Sequence, residues 1–233
     1  MKNDTVLPKK YEIYDTTPKK YYKYEGREKI SYSQYNSFKD PLYKNDYIIQ
    51  YFLGVRLESG IYAEFGSSCG NFFEDGVTID SNWLSESDVE ILKKVPRPEG
   101  ARYESEIVID CGDLVLQGFS DQEVDSESGL HILDMKTGNT DSKIAFYGSD
   151  EYQQTTLYSY CREQEGHKIG YSGVILLGRK GNGYKGHPLR LSGVIEYIPT
   201  PYTRERAEKA LEKVKKVAEE ISDLYKVFLK VNV

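Results

Sequence analysis

An aspartate and a lysine two residues apart, Asp134 and Lys136, lie in the apolar run Ile132-Leu133-Asp134-Met135-Lys136-Thr137-Gly138. A strand's period of two would put this carboxylate and ammonium on one face and turn Leu133 and Met135 into the core. A second carboxylate, Asp121, ends the run Gly118-Phe119-Ser120-Asp121, and a hairpin would bring it beside the first. Glu74 would join from a helix packed over the sheet. Crowded carboxylates repel one another and raise their pKa values, a penalty that a hard divalent cation removes. Mg²⁺ takes oxygen ligands and keeps several waters, which suits one or two carboxylates and a phosphate oxygen. Such an ion lowers the pKa of bound water and offsets charge in a phosphoryl transition state. A neighbouring lysine orients the water and stabilises developing negative charge. Hydrolysis of a phosphodiester is the chemistry this set suits. Taken singly, Asp-x-Lys is a common surface ion pair worth at most about 1 kcal/mol, so its weight comes from the ordered set.

Those residues need elements to carry them. Residues 31–53 read as two short helices, with Ser31 and Ser33 as N-caps and Pro41 opening the second at its tolerated first turn. Residues 60–75 read as a third helix, because Tyr62, Phe65, Cys69, Phe72 and Phe73 recur at helical spacing. Gly66, Gly70 and Glu74 form a second stripe, so either the helix packs closely on a sheet or something else approaches that face. Residues 76–102 are polar, with a short helix expected at 87–94 and a stop at Pro96 and Pro98. The period then changes to two, with strands expected at Ser105–Asp110, 114–121 and 130–136, joined by turns at 111–113 and 125–129. A helix at 151–164 follows. Strands at 171–178 and 189–198 flank a glycine-rich hairpin, and an amphipathic helix begins after Thr203. Antiparallel strands, a crossover helix and another strand imply an α/β fold with a mixed sheet flanked by helices.

The 233 residues carry a formal net charge of -6 and a mean hydropathy of -0.61 with pI near 5.3. At roughly 100–200 residues per domain this is one large domain. We divide it into a Lys/Tyr-rich arm, 1–29, and a domain, 30–233. A hydrophobic share of 39% with 13% aromatics excludes global disorder. The acidic balance argues against wrapping nucleic acid over a broad basic face. No apolar run approaches the roughly 18 residues of a membrane span, and Met1-Lys2-Asn3-Asp4 lacks an apolar signal region. A soluble, cytoplasmic protein is expected. Cys69, Cys111 and Cys161 form no Cys-x-x-Cys pair, and His131, His167 and His187 show no ligand spacing. The run from Lys19 to Tyr24 is either a strap packed by its tyrosines or a track for a single strand. The loop from Gly178 to Pro188, with Arg179, Lys180, Tyr184 and Lys185, is either an ordinary hairpin or a clamp on a nucleic-acid backbone. Glu104 and Glu106 share one face of the first strand; they are expected to pair with a Lys or Arg, the other reading being that one of them touches the metal region.

The order of these pieces resembles the PD-(D/E)XK nuclease superfamily, and within it the RecB-like exonuclease branch. That branch includes phage and bacterial recombination exonucleases and the CRISPR-associated adaptation nucleases. The resemblance covers roughly residues 30–178. It runs through the opening Ile30-Ser31-Tyr32-Ser33-Gln34 to Tyr51-Phe52-Leu53-Gly54, then Ala63-Glu64-Phe65-Gly66 to Glu74. Gly118 to Asp121, Asp134-Met135-Lys136-Thr137-Gly138 and Gln154-Thr155-Thr156-Leu157-Tyr158 complete it. Asp-x-Lys-Thr-Gly followed by Gln-x-x-x-Tyr is far more specific than any single piece.

The resemblance implies a restriction-endonuclease-like core, αβββαβ, with an N-terminal helical extension and a C-terminal helix. It implies a Mg²⁺- or Mn²⁺-dependent deoxyribonuclease with one or two ions, chiefly an exonuclease in phage or bacterial recombination and repair. Asp121 would be the central metal ligand, Asp134 the second and the Met135 carbonyl a third. Glu74 would be the helix carboxylate, and Lys136 would position or activate water. Gln154 and Tyr158, one helical turn apart, would orient Lys136 or a phosphate. DNA is the implied partner, together with a recombination, annealing or helicase protein; a homo-oligomer would help an acidic chain stay on DNA, and no membrane is involved. Two departures stand out. Gly70 occupies the place of a metal-binding His found in many RecB-like members, which leaves the ion count open. Asp40 stands where some relatives place the first cysteine of an iron–sulfur cluster, so no cluster is expected. Gly70 also keeps open an inactive nuclease-fold binding protein, and an endonuclease on the same fold is a third reading.

Overall fold

The computed structural model describes residues 11–13, 22–24, 27–53, 55–57, 60–75, 83–112 and 114–232. In chain order the elements are β1 (Tyr11–Ile13), β2 (Tyr22–Tyr24), β3 (Arg27–Ile30), α1 (Tyr32–Lys39), α2 (Lys44–Tyr47, continued by a π turn, Ile48–Phe52), β4 (Val55–Leu57), α3 (Ile61–Asp75) and α4 (Glu86–Leu92). There follow β5 (Ser105–Asp110), β6 (Leu114–Ser120), β7 (Gln122–Ser126), β8 (Gly129–Gly138), α5 (Thr140–Tyr147) and α6 (Gln154–Gln164). Last come β9 (Ile169–Asn182), a 3-10 turn (Gly183–Lys185), β10 (His187–Pro199) and α7 (Arg204–Asn232). Apart from the short strands β1, β2 and β3, the arm expected over 1–29 lies outside the described residues, as does most of the polar stretch after α3. No helix among the described residues is long and apolar enough to cross a membrane.

The chain divides into two compact units. The first comprises residues 1–59, 108–117 and 211–233. Its α1 opens with a capping box, in which the Ser31 hydroxyl accepts from the Gln34 N–H and the Gln34 side chain accepts from the Ser31 N–H. Strand β3 pairs with β2 antiparallel and with β6 in parallel. Phe52 packs against Tyr47, Tyr225 and Phe228.

The second unit comprises residues 60–107 and 118–210. Its sheet has the order β10-β9-β8-β7, with β8 and β9 parallel and both outer pairs antiparallel. Two parallel neighbours need a crossover, and α5 and α6 supply it. Along β8 the side chains alternate. Leu133 and Met135 join Phe65, Cys69, Phe72 and Phe73 of α3 and Ile175 and Leu177 of β9 in one apolar core. Val174 and Leu176 face the other way, onto Tyr147, Tyr152 and Ile198. Each such buried side chain contributes roughly 1.5–3 kcal/mol, which fixes the register that the site depends on.

The structure corrects three boundaries. The strand expected over 114–121 bends at Asp121, and a further strand, β7, follows it. Gln122–Ser126 has a weak β pattern of its own, but pairing with Leu130–Leu133 of β8 decides its state. Helix α5 was not expected: Asn139 caps it by accepting from the N–H groups of Asp141 and Ser142, and the crossover helix starts only at Gln154. The glycine-rich loop is mostly strand. His187 pairs with Asn182 and Arg190 with Lys180, with Gly181 at φ +94° where a Cβ would overlap the Pro188 carbonyl.

Candidate active site

All residues of the site belong to the second unit. Strand β8 presents Asp134 and Lys136 on its α5/α6 face, and the Lys136 Nζ lies 2.5 Å from Asp134 Oδ2. Asp134 is fully buried, and an unpaired charge there would cost several kcal/mol. Three donors prevent this. Besides Lys136, the Tyr152 hydroxyl donates to Oδ2 at 2.8 Å and Gln154 Nε2 donates to Oδ1 at 2.8 Å. Burial alone would lower the pKa of Lys136, but the neighbouring carboxylates of Asp134 and Asp121 raise it above the usual lysine range.

Asp121 sits at the bend between β6 and β7. The ladder between β7 and β8 ends at the pair Gln122 and Leu133. One residue on, the carboxylate of Asp121 replaces a backbone carbonyl, and its Oδ2 accepts from the Met135 N–H at 2.5 Å. Burial foremost, then the charges of Asp134 and Glu104, push its carboxyl up to about 8, against the pull of Lys136 and the Met135 N–H. The bend is braced from behind, where Ser120 donates to the buried Glu123 at 2.7 Å and Arg162 Nε meets the same carboxylate at 2.8 Å.

Glu74 comes in from the last turn of α3. A glycine lets that helix lie close to β8: a Cβ on Gly66 would stand 3.3 Å from the Thr137 hydroxyl, whereas one on Gly70 would make ordinary contacts, 3.5 Å from Glu74 Oε1 of the same helix and 3.9 Å from Met135 Cε. The Glu74 carbonyl accepts from Arg97 at 2.7 Å, and the Arg97 guanidinium lies over the Tyr103 ring. The next residue, Glu104, completes a cluster: one carboxylate oxygen each from Glu74, Glu104 and Asp121 lies within 4.8 Å of the others. Glu104 has φ +48°, the only positive value for a non-glycine residue among the described ones. A strained backbone of this kind costs roughly 1–3 kcal/mol and accumulates at functional sites.

The structure therefore brings Glu74, Asp121, Asp134 and Lys136 together, and places Gln154 and Tyr158 beside them, 3.1 Å apart. Tyr158 is buried, and its hydroxyl fills the space that a Cβ on Gly118 would occupy. Arg179, Lys180 and Lys185 lie on the β9–β10 hairpin, Arg179 three positions beyond Leu176, the register partner of Lys136. The sequence left Glu104 and Glu106 between an ion pair and the metal region, and the fold brings Glu104 to Asp121. One residue escaped sequence reasoning. Tyr152 precedes α6 in irregular chain, where no period marks it. The oxygen-only donor set, in which burial and the charges of Asp134 and Glu104 disfavour ionisation of Asp121, fits a hard divalent cation.

A mixed sheet carrying Asp and Asp-x-Lys at a bend, with Gln-x-x-x-Tyr on the crossover helix, defines a nuclease-type α/β domain. The model of the PD-(D/E)XK nuclease superfamily matches residues 78–227, and the chain belongs to that superfamily. The fold is similar to a crystal structure from Eubacterium rectale whose protein carries the provisional name of exonuclease. The identity is 13% and the TM-score 0.53, with 86% of this chain and 82% of that one covered. No curated protein matches the chain.

Proposed function

We propose that the chain is a divalent-metal-dependent deoxyribonuclease of the RecB-like branch, acting as an exonuclease in the recombination or repair of phage or bacterial DNA. The observation that carries this is the meeting of the Glu74–Glu104–Asp121 cluster with the Asp134–Lys136 pair through Asp121. In this reading residues 30–233 form the nuclease domain and 1–29 an arm. Glu74, Glu104 and Asp121 would hold Mg²⁺ or Mn²⁺, with the Met135 carbonyl adjoining. Asp134 already receives three donors, so one lone-pair position remains for a metal. When bound, the ion supplies an activated water and neutralises charge on the phosphate.

The protein's own groups do the rest. Lys136, anchored on Asp134, would supply a fixed ammonium to orient the water and offset the developing negative charge. Gln154 and Tyr152 hold Asp134 in place and so hold Lys136. Tyr158 in turn holds Gln154. Such preorganised dipoles need no rearrangement at the moment of reaction, which is why they are worth more here than in water.

The test incubates the protein with end-labelled linear DNA and Mn²⁺, with and without EDTA. Cleavage that EDTA abolishes supports the reading. Intact DNA under all metal conditions overturns it and leaves a nuclease-fold binding protein. Closed circular DNA that survives while linear DNA is consumed identifies an exonuclease, and its loss identifies an endonuclease.

A further inference from the structure

At the far end of β9 the chain builds an aromatic and cationic stack that the chemistry above does not use. The Arg179 guanidinium lies 4.1 Å from the centroid of the Tyr62 ring, in the first turn of α3. The Tyr184 ring, in the 3-10 turn of the hairpin, meets Tyr62 edge-on with centroids 5.4 Å apart. The Tyr62 hydroxyl donates to Asn182 Oδ1 at 3.4 Å. The Ile61 side chain fills the space a Cβ on Gly183 would need, and a Cβ on Gly60 would stand 3.4 Å from the Tyr184 hydroxyl. The turn is thus fastened to the start of α3, yet Tyr184 is 74% exposed. Lys185 adjoins it in sequence and is exposed as well.

This stack is connected to the site. Arg179 stands three residues past the register partner of Lys136, about 10 Å along the strand and, by alternation, on the α3 face, the face from which Glu74 enters. The Tyr147 hydroxyl interacts electrostatically with both Lys136 and Arg179. A nucleic-acid strand spans that interval in a few phosphates.

A single exposed tyrosine is unremarkable. A tyrosine braced by a second ring that itself carries a guanidinium, with an exposed lysine next in sequence, offers a π face to a base and cations to its phosphate. Within a duplex the interior π faces are already stacked and only the end pair keeps one open, so an unpaired, splayed base is the better partner. We propose that Tyr184, backed by Tyr62 and flanked by Arg179 and Lys185, is a stacking platform for an unpaired nucleotide next to the scissile phosphate. The substrate class is then single-stranded nucleic acid, or an end frayed to it. The proposal rests on the nuclease reading for the word scissile, but its test does not depend on turnover.

The experiment measures fluorescence anisotropy of labelled oligo(dT), oligo(rU) and a duplex of equal length with the full chain in EDTA, so that nothing is cleaved. One single strand or both should bind at least tenfold more tightly than duplex, and whichever binds identifies the polymer. Tyr184→Ala should weaken single-strand binding about 5- to 150-fold, the range of one base–aromatic stack. Tyr184→Trp should restore it, a rescue that a merely structural role for the turn would not give. Equal binding of duplex and single strand, no binding of single strand, or wild-type binding by Tyr184→Ala overturns the proposal. Cleavage with Mn²⁺ alongside unaffected binding by Tyr184→Ala defeats the platform alone. Single-strand binding through Tyr184 without cleavage defeats the nuclease reading alone.

Discussion

The side chain of Asp121 finishes a β ladder: its Oδ2 takes the Met135 N–H at 2.5 Å where the neighbouring strand has already bent away. One carboxylate therefore serves both the fold and the site. The two duties separate on substitution. Asn keeps an acceptor for the Met135 N–H but loses the charge, so Asp121→Asn should melt near wild type and lose at least about 100-fold in cleavage rate. Asp121→Ala orphans the N–H as well and should also lose about 1–3 kcal/mol of stability. Thermal melts read beside a cleavage time course check both, and full activity in Asp121→Asn would remove it from the machinery.

Tyr152 donates to the buried Asp134 at 2.8 Å and, on the proposed reading, acts through it. Removing its hydroxyl takes one charge-assisted hydrogen bond from a buried carboxylate, worth about 1.5–3 kcal/mol. Tyr152→Phe should lower cleavage by about 10–100-fold, as loss of a supporting contact does at metal sites. The drop should fall on kcat more than on KM, since binding of the strand is untouched. Unchanged kcat would show that Lys136 and Gln154 suffice.

Gly118 has no room for a side chain, because a Cβ would sit 2.9 Å from Tyr158 Cζ and closer still to its hydroxyl. Gly118→Ala should cost about 1–3 kcal/mol through overpacking and should reduce cleavage by displacing Tyr158 and, with it, Gln154. The double variant with Tyr158→Phe gives the cleaner measurement. If the hydroxyl is what clashes, the two stability losses will not add.

Cys69 is sealed in the core. Burial first, then the charge of Asp88, pushes its thiol up to about 12, against the pull of Arg179. An unfolded chain releases that proton near 8.5. Above that pH the unfolded state binds fewer protons than the folded one, so stability falls as pH rises from about 8.5 toward 12. Urea midpoints at pH 7.5 and 10 should show this fall for the native chain. Cys69→Ala should be less stable throughout but should lose the part of the slope that Cys69 contributes. Identical slopes would assign the pH dependence elsewhere.

Periodic residues were legible in the sequence. The stripe from Tyr62 to Phe73 gave α3, and the alternation around Asp134 gave β8 with its two faces, because burial against neighbours enforces those periods. The residues that meet through the fold were not. Glu104 is carried to Asp121 by a backbone turn that no pattern announces, and the bend at Asp121 looks in sequence like the continuation of a strand. Tyr152 lies in irregular chain, where position depends on what packs around it. The hairpin glycines suggested a loose loop, yet they permit strands β9 and β10 to approach closely and run on nearly to the turn.

The left-handed backbone at Glu104 has a consequence for anyone who would toughen this molecule. Glycine adopts that conformation without the roughly 1–2 kcal/mol that a Cβ costs there, a gain offset in part by the entropy glycine loses on folding. The same change would withdraw one of three acidic oxygens from the cluster. On the proposed reading, ease of the backbone and hold on the metal thus pull position 104 in opposite directions.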